Sequence, residues 1–244
     1  ASCLVGSEMC IRDSLKTVQD GKATTDMNAM LPGVRETDIP VPDAKNSVWK
    51  LNAETIGVYR VAYSPEHLAK LGKAAAQKDS AFSLEDRVGL VSDAFTLAQA
   101  GYSKTSGGLA LMHALRGDNS SLVNTAAALN LGKLASVWWE QPQSVRDAIN
   151  RFRADVFGPM ARELTFEFGA NDSSELRELR ETVITAAASA GDTWTLDEIR
   201  RRFAPLQEHG DYSLIHPDLL RTVLSQAVKH GGEAEYETVM GVYR

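Results

Sequence analysis

The change in hydrophobic pattern at Tyr63 constrains the fold of this chain more than any other sequence feature. Before Tyr63 the apolar residues alternate in short segments that glycine and proline interrupt, as in strands joined by turns. After it the apolar residues recur every three or four positions, which is the period of a helix buried along one face. We therefore predict a short β segment followed by a mainly α-helical region.

The helical region is predicted to contain about nine helices joined by short connections. Ser64 and Ser83 each precede a helix as a capping hydroxyl, and Asp86 follows Ser83 at capping-box distance. Many amphipathic helices with short loops are typical of an α-solenoid of the HEAT or ARM kind, a superhelical array in which each helix packs on its neighbours. After the helix that Ser83 opens, the predicted helices are 106–115, 121–138, 142–157, 174–190, 195–203, 217–230 and 233–243.

Local signals alone set two of these boundaries. Gly158-Pro159 is expected to interrupt the helix that begins at Pro142, because proline lacks the N–H that a helix interior needs. Thr195 with Glu198 is interpreted as the capping box that opens a later helix. The basic run 200–202 would then lie at the C-terminal end of that helix and interact with its dipole.

Charge and composition argue against nucleic-acid and membrane partners. The formal net charge is -6 at pH 7, the pI is about 5.4, and there is no extended basic run. No apolar stretch approaches the roughly 20 residues that a membrane-spanning helix needs. Cys3 and Cys10 are the only cysteines, which favours a reducing compartment, and we expect a cytoplasmic protein.

Several segments resemble the C-terminal part of M1-family zinc aminopeptidases. Residues 49–52 (WKLN) and 57–63 (GVYRVAY) are similar to the family signature at the end of its β-sandwich domain. The resemblance covers nearly all of the chain after its first fourteen residues and is strongest to fungal, cytosolic members of the puromycin-sensitive type. The other segments that resemble the family, all in its helical domain, are 86–95, 179–180 running into 188–192, and 216–219 with 231–232.

We predict three parts along the chain. Residues 1–14 have neither a helical nor a strand period and are expected to be non-native or disordered. By the family resemblance, residues 15–63 are the C-terminal strands of a β-sandwich domain. Residues 64–244 would form a truncated C-terminal helical domain, ERAP1-like in fold.

The resemblance also implies the function of the parent protein, a zinc-dependent hydrolase that removes N-terminal residues from peptides. This segment would be its non-catalytic portion and would form the wall of the substrate chamber. Its partners would be peptide substrates, through the parent enzyme, and the upstream catalytic domain of the same chain. The alternative is a stand-alone α-solenoid that binds other proteins and has no enzymatic activity.

The zinc-binding HExxH motif of the family is absent from this sequence. We therefore predict no catalytic residue and no metal ligand in this segment, which should be inactive alone, although the parent enzyme holds zinc. The histidines are scattered, and no two have the i, i+4 spacing of HExxH: His67, His113, His209, His216 and His230.

Arg60 is the single candidate for substrate binding. An arginine beside Tyr59 near the junction of the two domains could reach the carboxylate of a peptide. The competing interpretation is a structural ion pair. Glu85 and Asp86 offer a pair of carboxylates, but such pairs on amphipathic helices usually form a solvated face.

Overall fold

The computed structural model describes residues 2–3, 11–19, 21–31, 38–41 and 43–242. Over these residues the protein is mainly helical, with small antiparallel sheets near its N-terminus. The strands are β1 (Ser2–Cys3), β2 (Ile11–Gln19), β3 (Lys22–Leu31), β4 (Val48–Leu51) and β5 (Val61–Ala62). The helices are α1 (Pro65–Ala75), α2 (Leu84–Gln99), α3 (Thr105–Ala114), α4 (Ser121–Val137), α5 (Gln143–Leu164), α6 (Ser174–Ser189), α7 (Thr193–His209), α8 (Pro217–His230) and α9 (Glu233–Val242).

The chain divides into two compact units, Ala1–Asp118 and Asn119–Arg244. In the first unit the sheet β3-β2-β4 is antiparallel, β1 pairs with β5, and α3 packs on α1 and α2. In the second unit α6 is the central helix, because it contacts α4, α5, α7 and α8. Its side chains Val183, Ile184 and Ala187 are fully buried. The change from strands to helices at Tyr63 is thus confirmed.

Short-range capping signals set several helix ends as predicted. The Ser64 side chain accepts a hydrogen bond from His67 N–H, and Ser83 and Asp86 form a complete capping box. Gly101, at φ +81°, follows the end of α2 in the left-handed conformation that favours glycine. The bounds of α8 agree with the prediction, whereas Tyr243, predicted to end α9, lies outside the described residues.

The predicted interruption of α5 at Gly158-Pro159 is wrong, because α5 continues through Pro159 to Leu164. Proline costs the helix one hydrogen bond, but Phe157 and Ala161 on either side of it are buried. Packing of this face therefore outweighs the local signal.

The predicted start of α7 at Thr195 is also wrong, since the capping residue is Asp192. Its Oδ1 accepts hydrogen bonds from Thr195 N–H at 3.0 Å and from the Thr195 hydroxyl at 2.8 Å. The Thr195 hydroxyl therefore donates within the first turn of α7 and does not cap the helix. Helix α7 also runs past its predicted end, so the run 200–202 lies within the helix and not at its C-terminus.

The N-terminal region differs in detail from its prediction. Residues 1–14 are expected to be non-native or disordered, but strand β2 begins at Ile11. Most of the residues before Ile11 lie outside the described ranges. Residues 57–59 are bent, and the strand that ends this segment is limited to Val61–Ala62. Among the described residues, none of the helices has both the length and the apolar character that crossing a bilayer requires.

Candidate functional site

Asp86 is the centre of a buried polar cluster in the first unit. It occupies the third position of α2 and is fully buried. Its carboxylate accepts a hydrogen bond from Ser83 N–H at 3.3 Å, and the capping box thereby fixes its direction. The expectation that Glu85 and Asp86 form a solvated face is therefore wrong for Asp86.

Two lysines from neighbouring strands contact this carboxylate. Lys16 on β2 pairs directly with Lys50 on β4, so both side chains lie on the same face of the sheet, and each residue is only 3% exposed. Lys50 Nζ lies 3.0 Å from Asp86 Oδ1, and Lys16 Nζ forms an ion pair with Asp86 Oδ2. Like charges at paired positions repel each other, and Asp86 offsets this repulsion by bridging them.

Glu54 completes the cluster from the other side. Its side chain, 40% exposed, forms an ion pair with Lys16, and its backbone N–H donates to Asp86 Oδ1 at 2.8 Å. Two lysines thus face two carboxylates, and the charges within the cluster balance. The cluster fastens β2, β4 and the 53–55 turn to the start of α2.

The pKa values in the cluster follow from burial and from these contacts. Burial opposes ionisation of Asp86, but the nearby charge of Lys50 and the hydrogen bond from Lys16 outweigh it and lower the pKa of Asp86. For Lys16 the hydrogen bonds to Asp86 and Glu54 likewise outweigh burial and raise its pKa. For Lys50 burial prevails and lowers the pKa. Asp86 and Lys16 are therefore the more firmly ionised pair, and Lys50 is the weaker base.

The chain between β4 and β5 is strained where it meets the cluster. Asn52, Glu54 and Thr55 all have φ between +53° and +55°, a conformation that costs non-glycine residues about 1–3 kcal/mol each. The Asn52 side chain holds the turn by accepting from Gly57 N–H at 2.7 Å. The Thr55 hydroxyl donates to the Glu85 carbonyl of α2 at 2.9 Å.

Gly89 allows this strained turn to approach α2. A Cβ at this position would lie 2.2 Å from Thr55 Oγ1, far inside van der Waals contact. The turn can therefore pack directly against α2 because residue 89 has no side chain.

Arg60, the predicted substrate contact, lies beside the same helix. Its Nη1 is 3.0 Å from both Asp93 Oδ1 and Ser92 Oγ, and 45% of its side chain is exposed. Asp93 also accepts from Val61 N–H at 3.0 Å, although burial raises the pKa of this carboxyl above its usual value. The ion pair with Asp93 uses Nη1 of the Arg60 guanidinium. A contact between Arg60 and substrate stays a prediction.

The basic run 200–202 forms ion pairs along α7. Arg202 is 4% exposed, and its Nη2 lies 2.6 Å from Glu167 Oε1, while Arg201 pairs with Glu198 at 3.1 Å. These arginines are thus bound by carboxylates of the same unit. The prediction that they interact with the C-terminal dipole of the helix is wrong.

Nothing in the described residues resembles a metal centre. Within those ranges, no group of three or more His, Cys, Asp or Glu side chains is arranged to hold a metal ion.

Comparison with known proteins decides the family. A family model described as the ERAP1-like C-terminal domain matches residues 49–244. The chain belongs to the ERAP1-like C-terminal domain family. Lys50, Asp86 and Asp93 lie inside the matched residues, whereas Lys16 lies before them. The ion pair between Lys16 and Asp86 therefore fastens the preceding strand to the ERAP1-like domain.

Relatives of this ERAP1-like domain are named as aminopeptidases. Aminopeptidase 2 of Candida albicans is 30% identical over 86% of this chain and 22% of the relative. The alanine/arginine aminopeptidase of Saccharomyces cerevisiae is 30% identical over 80% of this chain and 22% of the relative. The puromycin-sensitive aminopeptidase of Caenorhabditis elegans is 25% identical over 93% of this chain and 24% of the relative. The predicted resemblance to M1-family aminopeptidases is confirmed, and the chain spans about a fifth to a quarter of the length of these relatives.

Sequence reasoning missed the cluster around Asp86. The one available signal was a lysine, Lys50, between the apolar residues Trp49 and Leu51 of a predicted strand. The partner of that lysine could not be identified, because the register between β2 and β4 is a tertiary property.

Proposed function

We propose that this ERAP1-like domain is the non-catalytic C-terminal portion of a zinc-dependent aminopeptidase that removes N-terminal residues from peptides. The match to residues 49–244 carries the proposal, and the shared name of the relatives supports it. The parent would be an M1-family metalloprotease, and this segment would contribute its architecture.

The proposed architecture follows from the order of the elements. Residues 15–63, with the start of β2 at Ile11, would be the last strands of a β-sandwich domain, and residues 64–244 would be part of an α-solenoid. The ion pairs of Asp86 support a structural role for this junction, because they join the strands to the first long helix. A rigid junction would hold α2 at a fixed position relative to strands β2 and β4.

The proposed role of the helical domain is to form a wall of the chamber that admits peptides. Arg60 would contact a carboxylate of the peptide through the part of its guanidinium that Asp93 leaves exposed. Carboxylates bind arginine through charge-assisted hydrogen bonds, which are stronger than neutral ones.

Cofactor and partners are assigned to the parent enzyme. Zinc would be held upstream, by HExxH and a distant glutamate, where it would activate a water for attack on the peptide bond. The partners would be that upstream catalytic domain and peptide substrates, without nucleic acid or membrane, in the cytoplasm.

The coding sequence upstream of this chain tests the proposal. We expect it to encode HExxH in the same reading frame, and we expect the complete gene product to hydrolyse aminoacyl-anilides in a chelator-sensitive manner. A complete gene product without HExxH that binds another protein through its helices would contradict the proposal and favour the stand-alone interaction module.

A further inference from the structure

Strand β3 lies at the edge of its sheet. In the strand order β3-β2-β4, β3 pairs with β2 alone among the strands that the structure describes. Residues 22–27 of this strand are all exposed. An exposed edge strand is a template for pairing with a strand of another chain, because half of its backbone hydrogen-bonding groups point away from the sheet.

The register of the hairpin decides which backbone groups point outward. Gln19 pairs with Lys22 across only two intervening residues, and a pair at this spacing exchanges both of its hydrogen bonds. Hydrogen-bonded and non-hydrogen-bonded pairs alternate along an antiparallel ladder, so Thr24 also bonds to β2. Ala23 and Thr25 therefore direct their N–H and C=O groups to the outer edge.

The sequence of β3 makes this edge complementary to a second copy of itself. In an antiparallel pair of β3 strands centred on Thr24, Ala23 bonds to Thr25 of the second copy, and Lys22 lies opposite Asp26 of the second copy. The two-fold axis forms each of these pairs twice. Opposite charges placed directly across a ladder stabilise it, whereas like charges destabilise it. No other register places Lys22 opposite Asp26.

We propose that two copies of this chain associate by antiparallel pairing of their β3 edges, with Lys22 of each copy opposite Asp26 of the other. The charges at positions 22 and 26 favour a second copy of the chain over an unrelated strand. The paired segment is short, so the dimer is reversible. The proposal goes beyond the proposed function, because it concerns self-association of this chain and does not require a peptidase.

Charge reversal tests the register on the full 244-residue chain. Sedimentation velocity at increasing protein concentration should show an equilibrium between monomer and dimer. Lys22→Asp, which sets two acids opposite each other, should raise the dissociation constant about tenfold. Lys22→Asp combined with Asp26→Lys restores opposite charges and should return the constant to within about threefold of its original value. The same reversal at exposed Lys78 is the control for net charge and should leave the constant unchanged.

Cross-linking locates the contact without changing its charges. Cys3 and Cys10 are first replaced by serine. Thr24→Cys then places two cysteines at directly opposite positions, with about 4.5 Å between their Cα atoms, which a disulfide can bridge. Thr25→Cys is the matched control, because Thr25 lies opposite Ala23 and its own two copies are too far apart for a disulfide. We expect mild oxidation to give covalent dimers of Thr24→Cys and not of Thr25→Cys.

Three results would overturn the proposal. The first is a monomer at every concentration, and the second is a dimer that Lys22→Asp weakens no more than the reversal at Lys78 does. The third is equal cross-linking of Thr24→Cys and Thr25→Cys. If a charge variant fails to fold, the two cysteine variants still decide.

Discussion

Lys50 Nζ lies 3.0 Å from Asp86 Oδ1, and this buried ion pair joins strand β4 to the first turn of α2. Asp86 is therefore both a helix cap and the counter-ion of a sheet. Because Asp86 belongs to the capping box of α2 and binds lysines of β2 and β4, it also positions the sheet against this helix.

Removal of the Asp86 charge should strongly destabilise the protein. Asp86→Asn leaves Lys16 and Lys50 buried without their shared counter-ion, and breaking a buried ion pair typically costs about 3–5 kcal/mol. Urea unfolding followed by circular dichroism measures the change. The same substitution at exposed Asp79 is the control and should stay within about 0.5 kcal/mol of the unaltered chain. A loss for Asp86→Asn as small as that of the control would show that the cluster contributes little.

The same residue should set the acid sensitivity of the fold. The pKa of Asp86 is lower in the folded chain than in the unfolded one, so its stabilisation is present above the unfolded value and is lost as pH falls through the folded value. Thermal unfolding should show a loss of stability below roughly pH 4 that is shallower in Asp86→Asn. Parallel pH profiles for the two proteins would contradict the assignment of a lowered pKa to Asp86.

Sequence predicts local features of this fold better than distant ones. The caps at Ser64 and Ser83 are predicted correctly because each depends on a few neighbouring residues. The continuation of α5 through Pro159 is not predicted by the sequence, because it depends on burial against other helices. The contact between Lys16 and Asp86 depends on strand register and on a strained turn, neither of which a local pattern specifies.

A side chain at Gly89 should separate the strained turn from α2. Gly89→Ala places a methyl group against Thr55, and we expect a loss of about 1–3 kcal/mol from this overpacking. Gly132 of α4 has no neighbour within 4 Å of a built Cβ, so Gly132→Ala should instead stabilise the chain by about 0.5–1 kcal/mol. Chemical unfolding of both variants checks the pair, and equal effects would contradict the close approach at Gly89.

Loss of Arg60 should weaken peptide binding in the complete gene product without affecting chemistry. Arg60→Ala should raise KM for peptides with little change in kcat, and it should leave aminoacyl-anilides unaffected because these lack a terminal carboxylate. Arg177→Ala is a matched control, since Arg177 is 46% exposed and pairs with Asp218 at 2.7 Å. If the unaltered protein, Arg60→Ala and Arg177→Ala had the same KM for peptides, the proposed substrate contact would be wrong and the role of Arg60 would be its ion pair with Asp93.

Hydrolysis of aminoacyl-anilides by the purified 244-residue chain, with zinc added, tests the central claim most directly. We predict no hydrolysis above that of zinc alone, and chelator-sensitive hydrolysis by the complete gene product under the same conditions. Chelator-sensitive turnover by the 244-residue chain itself would contradict the account, because the chemistry would then belong to these residues.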